Sequence, residues 1–269
     1  MGHSRQAYYQ GRRREADHLA NAQAVVELVR EQRMRQPRIG TRKLHYLLQE
    51  PLQRQGIGLG RDAMFDVLRN ARLLVAPRRA YHKTTDSHHR FRRHPNLLKA
   101  GPQQIRASAS EQVWVADITY LPTHGKFVYL SLVTDAYSRK IVGWHVHESM
   151  QTEEVAQAMK MALSGRQSSR QLVHHSDRGV QYACLEYRET LVSHGMRASM
   201  SRKGDCWDNA CAESFWSTLK TELVNHERYA TRDEAKRSIF EYIEVFYNRK
   251  RLHSSLGYQS PETFEAGLN

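Results

Sequence analysis

Cysteine is scarce: Cys184, Cys206 and Cys211 are the only three in 269 residues. They form no even framework and no C-x-x-C pair, which argues against disulfides and a zinc finger and predicts ordinary thiols in a reducing cytoplasm. Long apolar runs are also lacking. Nothing reaches the roughly eighteen consecutive apolar residues of a membrane span, and Met1-Gly2-His3-Ser4-Arg5 runs into Arg12-Arg13-Arg14 without the apolar stretch of a secretory signal. Acidic residues are few where the chain begins. Residues 1–100 hold 21 Lys and Arg against 8 Asp and Glu, whereas residues 101–269 hold 20 of each, so the net charge of +13 lies wholly in the first hundred. A basic region joined to a neutral one is the footprint of a nucleic-acid partner. The remaining composition, 40% hydrophobic and 26% charged, supports a packed core and excludes a disordered chain.

Residues 1–75 read as helices. Leu19, Val25, Val26, Leu28 and Val29 form an apolar stripe that Pro37 and Gly40 end, and Thr41 is placed to cap a helix carrying Leu44, Leu47 and Leu48 that halts near Pro51. After Gly56, Gly58 and Gly60, a third helix over about 61–72 buries Met64, Phe65 and Leu68 and shows Arg61, Arg69 and Arg72 to solvent. Two short helices around a glycine turn suggest a helix-turn-helix-like DNA reader, with Arg42, Lys43, Arg61 and Arg69 as candidate contacts. Residues 76–112 read as a basic linker able to track phosphates through Arg78, Arg79, Arg92 and Arg93. His88, His89 and His94 in it have no cysteine nearby and read as solvent-exposed rather than metal-ligating.

Residues 113–225 change texture. Three strands over 113–120, 127–134 and 140–147 form an antiparallel meander, followed by a helix over 152–163, a strand over 171–175, another helix, a strand over 197–200 and a helix from about Asp208. This is the order of a ribonuclease-H-like α/β fold, a mixed sheet flanked by helices, with 226–269 as a C-terminal helical extension.

Three acids stand where packing does not explain them. Asp117 interrupts the most apolar strand, Asp177 follows the fourth strand, which should neighbour the first, and Glu213 lies on the helix that Asp208 is placed to cap. Converging carboxylates repel unless a cation neutralises them, and oxygen-only ligation suits Mg²⁺ or Mn²⁺. Two such ions are suited to phosphodiester chemistry. Lys220, seven residues after Glu213, shares its helix face and is placed to hold a phosphate. Asp135, Asp205 and Asp208 read instead as turn formers, caps or surface charges, and Arg249-Lys250-Arg251 as a second, minor DNA contact.

The segments Trp114–Tyr120, His174–Tyr182, Ser201–Phe215 with Leu219-Lys220, and the tail Tyr247–His253 with Leu256-Gly257 and Ser260-Pro261 closely resemble the integrase-like core of bacterial insertion-sequence transposases. The resemblance is to the second-frame protein of the Insertion Sequence Three family, and it covers over half the chain. Residues 38–74 are similar to the helix-turn-helix segment these proteins carry upstream. The resemblance implies a DDE recombinase, with Asp117, Asp177 and Glu213 as catalytic metal ligands for Mg²⁺ or Mn²⁺. It implies cleavage at the ends of the protein's own element and joining of the freed 3′-hydroxyl to another phosphodiester through a circular intermediate. The implied partners are double-stranded DNA, further copies of the chain assembled on it, and an upstream-frame protein as fusion or partner; when DNA-bound it would be nucleoid-associated. The rival readings are a nuclease of the same fold without strand transfer and a non-catalytic DNA-binding regulator of transposition. Neither the His-His-Cys-Cys zinc module of retroviral integrases nor a heptad run is present in this sequence.

Overall fold

The computed structural model describes residues 5–75, 94–124, 127–201 and 210–267. The chain divides into two compact units, Met1–Arg78 and Arg79–Asn269.

The first unit holds three helices, α1 (Arg5–Arg35), α2 (Thr41–Arg54) and α3 (Arg61–Asn70). Val25 and Val29 of α1, Leu44, Leu48 and Leu52 of α2, and Met64 and Leu68 of α3 close its core with Ile39 and Ile57. The core takes only the C-terminal third of α1. Leu19, expected in the apolar stripe, is 71% exposed, because the stripe packs only where α2 and α3 lie beside it. Phe65 is half-buried rather than buried. Gly40, not Thr41, is the cap residue of α2; Thr41 is the first helical residue and is itself buried. Nor does α2 halt at Pro51. The ring removes one hydrogen-bond donor, yet Leu52, one turn after Leu48, is buried and holds the last turn in the core. The helix ends where Gly56 takes a left-handed φ of 72°. Gly56 N–H donates to Gln53 O and Ile57 N–H to Leu52 O, both at 2.9 Å, a closure that glycine allows without a Cβ penalty.

The second unit is built on a five-stranded sheet: β1 (Val113–Pro122), β2 (Phe127–Asp135), β3 (Ile141–His147), β4 (Val173–Ser176) and β5 (Arg197–Met200). The strand order is β3-β2-β1-β4-β5. The pairs β1–β2 and β2–β3 are antiparallel, as the meander predicts, and β1–β4 and β4–β5 are parallel. This is the ribonuclease-H-like mixed sheet expected from the element order. One face is covered by α4 (Thr152–Ser164), α5 (Val180–Ala183) and α6 (Leu185–Ser193), which pack with Trp114, Ala116 and Ile118 of β1. At Gly143 of β3 a Cβ would lie 2.0 Å from Ala158 O, so only glycine lets α4 sit this close to the sheet. The other face is covered by α7 (Ala210–Glu222) and α8 (Arg232–Phe240), a π-helical turn over Glu241–Tyr247, and α9 (Pro261–Ala266) beyond it.

Two expected boundaries differ. The described part of the 76–112 linker, residues 94–112, is docked: Leu97 packs with Val113, Val115 and Val173, and its N–H donates to Ser199 Oγ at 2.9 Å. The apolar Leu97, Leu98 and Ile105 outweigh the basic residues around them. Residues 226–269 are no appendage either. Tyr229, Ala235, Ile239, Tyr242, Ile243 and Tyr247 share one core with Phe215 and Trp216 of α7 and with Leu130 and Leu132 of β2. The buried Asn248 side chain clasps the edge strand β3, accepting from Ile141 N–H at 2.9 Å and donating to Ile141 O at 3.0 Å. Arg251, expected to meet DNA, is instead turned inward. It bonds both oxygens of Glu222 and lies over the Tyr247 ring, while Arg249 and Lys250 are exposed. Among the described residues, no helix is long and apolar enough to cross a membrane.

Candidate active site

Register brings the first two acids together. Ala116 of β1 pairs with Ser176 of β4, so the next residues, Asp117 and Asp177, leave the paired region side by side. β4 ends there, and β1 runs on against β2 alone. The two aspartates, with Ile118, Met150, Gly179 and Tyr182, line a shallow cleft, at the carboxyl end of the parallel pair, where open α/β sheets place their ligands.

Each carboxylate is held by backbone. Ile118 N–H donates to Asp117 Oδ1 and Gly179 N–H to Asp177 Oδ1, both at 2.9 Å. A Cβ at Gly179 would lie 3.0 Å from Asp177 Oδ1 and 3.0 Å from Gln181 Oε1, so glycine lets the loop fold over the acid. A third donor reaches in from α7, where Trp216 Nε1–H meets Asp117 Oδ2 at 2.9 Å. Burial, and then the negative charge of Asp177, push the Asp117 carboxyl up to about 7, against the pull of the Trp216 and Ile118 hydrogen bonds. Lys220, half-buried on α7, is lowered by burial and drawn back up by Asp117, which places its ammonium in the same field.

Glu213 stands apart from the pair. It is exposed on α7, and its charge adds to those raising Asp117. Yet among the described residues no three acidic, imidazole or thiol groups converge closely enough to hold one ion. Of the three expected acids, Asp117 and Asp177 converge, and Glu213 lies near them without joining the pair. The pair itself fits a divalent cation: two carboxylates, which are hard oxygen donors, line one cleft.

The histidines of the same segment are scaffolding. His174 and His175 are buried, and burial lowers them to about 3 and about 4, so both stay neutral. His174 Nε2 bonds the Tyr187 hydroxyl at 3.1 Å and His175 Nδ1 the Ser199 hydroxyl at 2.8 Å. Asp135 is a turn former as expected: its buried carboxylate accepts from Glu111, Tyr137 and Ser138 N–H groups at 2.7–2.9 Å. Cys184 and Cys211 are half-buried free thiols; Cys206, Asp205, Asp208, His88 and His89 lie outside the described residues.

Of the candidate DNA contacts, Arg42, Arg61 and Arg69 are exposed and Lys43 is half-buried. Arg61 pairs with Asp62 at 2.8 Å and Arg69 with Asp66. Arg78, Arg79, Arg92 and Arg93 lie outside the described residues. Two residues of the site were not singled out from sequence. Trp216 carries a donor on an otherwise apolar helix face three residues after Glu213, a signal readable in retrospect. The buried Tyr182 hydroxyl, without a hydrogen-bond partner at the cleft wall, left no local signal.

Family models of the integrase core domain match residues 107–206 and 194–261. An insertion element IS600 31 kDa protein of Shigella sonnei is 44% identical over 84% of this chain and 80% of its own length. Transposase InsF for insertion sequence IS3A, from Escherichia coli strain K12, is 43% identical over 63% of this chain; the match spans 58% of that protein. The intasome of a simian T-cell lymphotropic virus, solved with PP2A regulatory subunit B56 gamma, resembles this chain with a TM-score of 0.50 and 15% identity, over 84% of this chain and 74% of that one. That likeness concerns the fold. With integrase-core matches running from residue 107 to 261 and a relative aligned over most of both lengths, the chain belongs to the IS3-family insertion-sequence transposases.

Proposed function

We propose that the protein cuts DNA at the ends of its own insertion sequence and joins the freed 3′-hydroxyl to a second phosphodiester. The observation that carries this reading is the Asp117–Asp177 pair in one cleft of an integrase-type sheet. Asp117, Asp177 and Glu213 would hold two Mg²⁺ or Mn²⁺ ions, Glu213 completing the set by rotation of its side chain on α7. Ions bound there supply activation of the attacking oxygen and neutralisation of the leaving one. Lys220 holds a phosphate of the scissile strand beside the acids, and Gly179 keeps the Asp177 carboxylate aimed into the cleft.

The helices of residues 1–75 position the duplex. Arg42, Arg61 and Arg69 meet phosphates with Lys43, Arg78, Arg79, Arg92 and Arg93, and the exposed pairs with Asp62 and Asp66 exchange readily because such surface pairs are worth about 0–1 kcal/mol. Copies of the chain assemble on paired ends, and an upstream-frame protein is a fusion or partner.

Purified protein incubated with labelled element ends, target duplex and Mg²⁺ tests this. Joined products support transposition. Cut products alone indicate a nuclease, and shifted bands without cleavage indicate a regulator.

A further inference from the structure

Trp216 spans 99 residues of sequence to reach the acid pair. Its indole is nearly enclosed, 7% exposed, and is wedged edge-on against Phe215 with ring centroids 5.3 Å apart. It belongs to the core formed by α7, the C-terminal segment and β2. From there Nε1–H donates to Asp117 Oδ2 at 2.9 Å, while Ile118 N–H donates to Oδ1 at 2.9 Å. A carboxylate has about four acceptor sites. With a donor fixed on each oxygen, the plane of the Asp117 carboxylate is set.

Packing alone does not call for the indole N–H, since a phenyl ring fills a core position without a polar atom that needs a partner. Trp216 also follows Glu213 by three residues on α7, so the two lie on adjoining positions of one helix surface. The same hydrogen bond therefore sets the orientation of Asp117 and ties the helix bearing Glu213 to the strand bearing Asp117.

We infer that Trp216 is the positioning residue of the acid site: its indole N–H orients Asp117 and registers α7 against β1 for divalent-cation binding. The inference rests on the reading of Asp117 as a metal ligand. Groups that hydrogen-bond a ligating carboxylate typically change metal affinity by about 10–100-fold when removed.

The test is calorimetric titration of Mn²⁺ into the full chain at fixed pH, without DNA. Wild type should bind, and Asp117→Asn should lose the binding. Trp216→Phe, with an unchanged circular dichroism spectrum, should bind with the same stoichiometry and about tenfold or more weaker affinity. Wild-type affinity in Trp216→Phe overturns the inference while leaving the metal site intact. Wild-type affinity in Asp117→Asn overturns the metal site, and the inference with it. Should Trp216→Phe fail to fold, the wild-type chain labelled with ¹⁵N at its indoles decides. The indole resonance displaced by Asp117→Asn marks Trp216, and Mg²⁺ should move that resonance with the half-saturation measured by calorimetry. An indole signal that ignores Mg²⁺ overturns the inference.

Discussion

Asp117→Asn should stabilise the metal-free protein at neutral and alkaline pH, although it removes a residue of the proposed catalytic set. An aspartate in an unfolded chain titrates near 3.9, whereas burial and the charge of Asp177 raise Asp117 to about 7 in the fold. Between those values the folded chain keeps a proton that the unfolded chain releases. Stability from this group is therefore full below about pH 4, falls as pH rises, and is lowest above pH 7. Roughly three pK units at about 1.36 kcal/mol each set an upper bound of about 4 kcal/mol. Asparagine removes the charge facing Asp177 and keeps a carbonyl for the Trp216 indole, but its NH2 then faces the Ile118 N–H and that hydrogen bond is lost, so about half of that bound, about 2 kcal/mol, is the expected gain above pH 7. At about 2–4 °C per kcal/mol for a domain of this size, the Tm should rise by about 4–8 °C at pH 8 and converge with wild type near pH 4 to 5. Thermal unfolding in chelator-treated buffer across pH 4.5–8.5 measures it. Adding Mg²⁺ should then stabilise wild type and leave the variant unmoved. Parallel Tm curves across the whole range, or a variant less stable than wild type at pH 8, would refute the electrostatic reasoning.

Asp177→Asn should abolish cleavage and joining while gel-shift affinity for duplex DNA stays within about threefold, because it keeps the side chain's shape and leaves the basic first hundred residues untouched. Asn248→Ala should cost about 2–4 kcal/mol in urea unfolding, since both backbone groups of Ile141 lose their partner at a buried strand edge; a loss below 1 kcal/mol would mean that the edge closes another way. A fragment of residues 94–269 should fold, and one of residues 101–269, which lacks Leu97, should unfold at a lower temperature. Against one duplex, the 94–269 fragment should show a much shallower salt dependence than the full chain, because each phosphate contact adds about −0.9 to the slope and the excess charge lies before residue 101. Equal slopes would place DNA recognition in the sheet unit.

What was legible from sequence was what leaves a local period or a local anomaly. The alternating β-formers of residues 113–147 mark the meander, and Asp117 stands out because a carboxylate in that strand has no packing reason. The adjacency of Asp117 and Asp177 followed from fold order and is realised by the pairing of Ala116 with Ser176. Competing local signals produced the misreadings. Pro51 outweighed Leu52, whose burial continues α2, and the arginines of 76–112 hid the docking of Leu97. Distant partnerships left no trace at all: the clasp of Asn248 on Ile141 and the Arg251–Glu222 pair join residues 107 and 29 positions apart. Arg251 looked like a DNA contact because its buried partner is invisible in a run of basic residues.

A crystal structure of the protein soaked in Mn²⁺, with anomalous diffraction locating the metal, decides whether Asp117, Asp177 and Glu213 form one metal centre. Anomalous density is expected about 2.0–2.3 Å from the oxygens of Asp117 and Asp177, an ordinary distance for a hard divalent ion, with the Glu213 side chain turned in from α7 to complete a two-ion site. Peaks only outside this cleft, or ions held by the two aspartates while Glu213 stays in solvent with DNA bound, would rule the three-acid centre out.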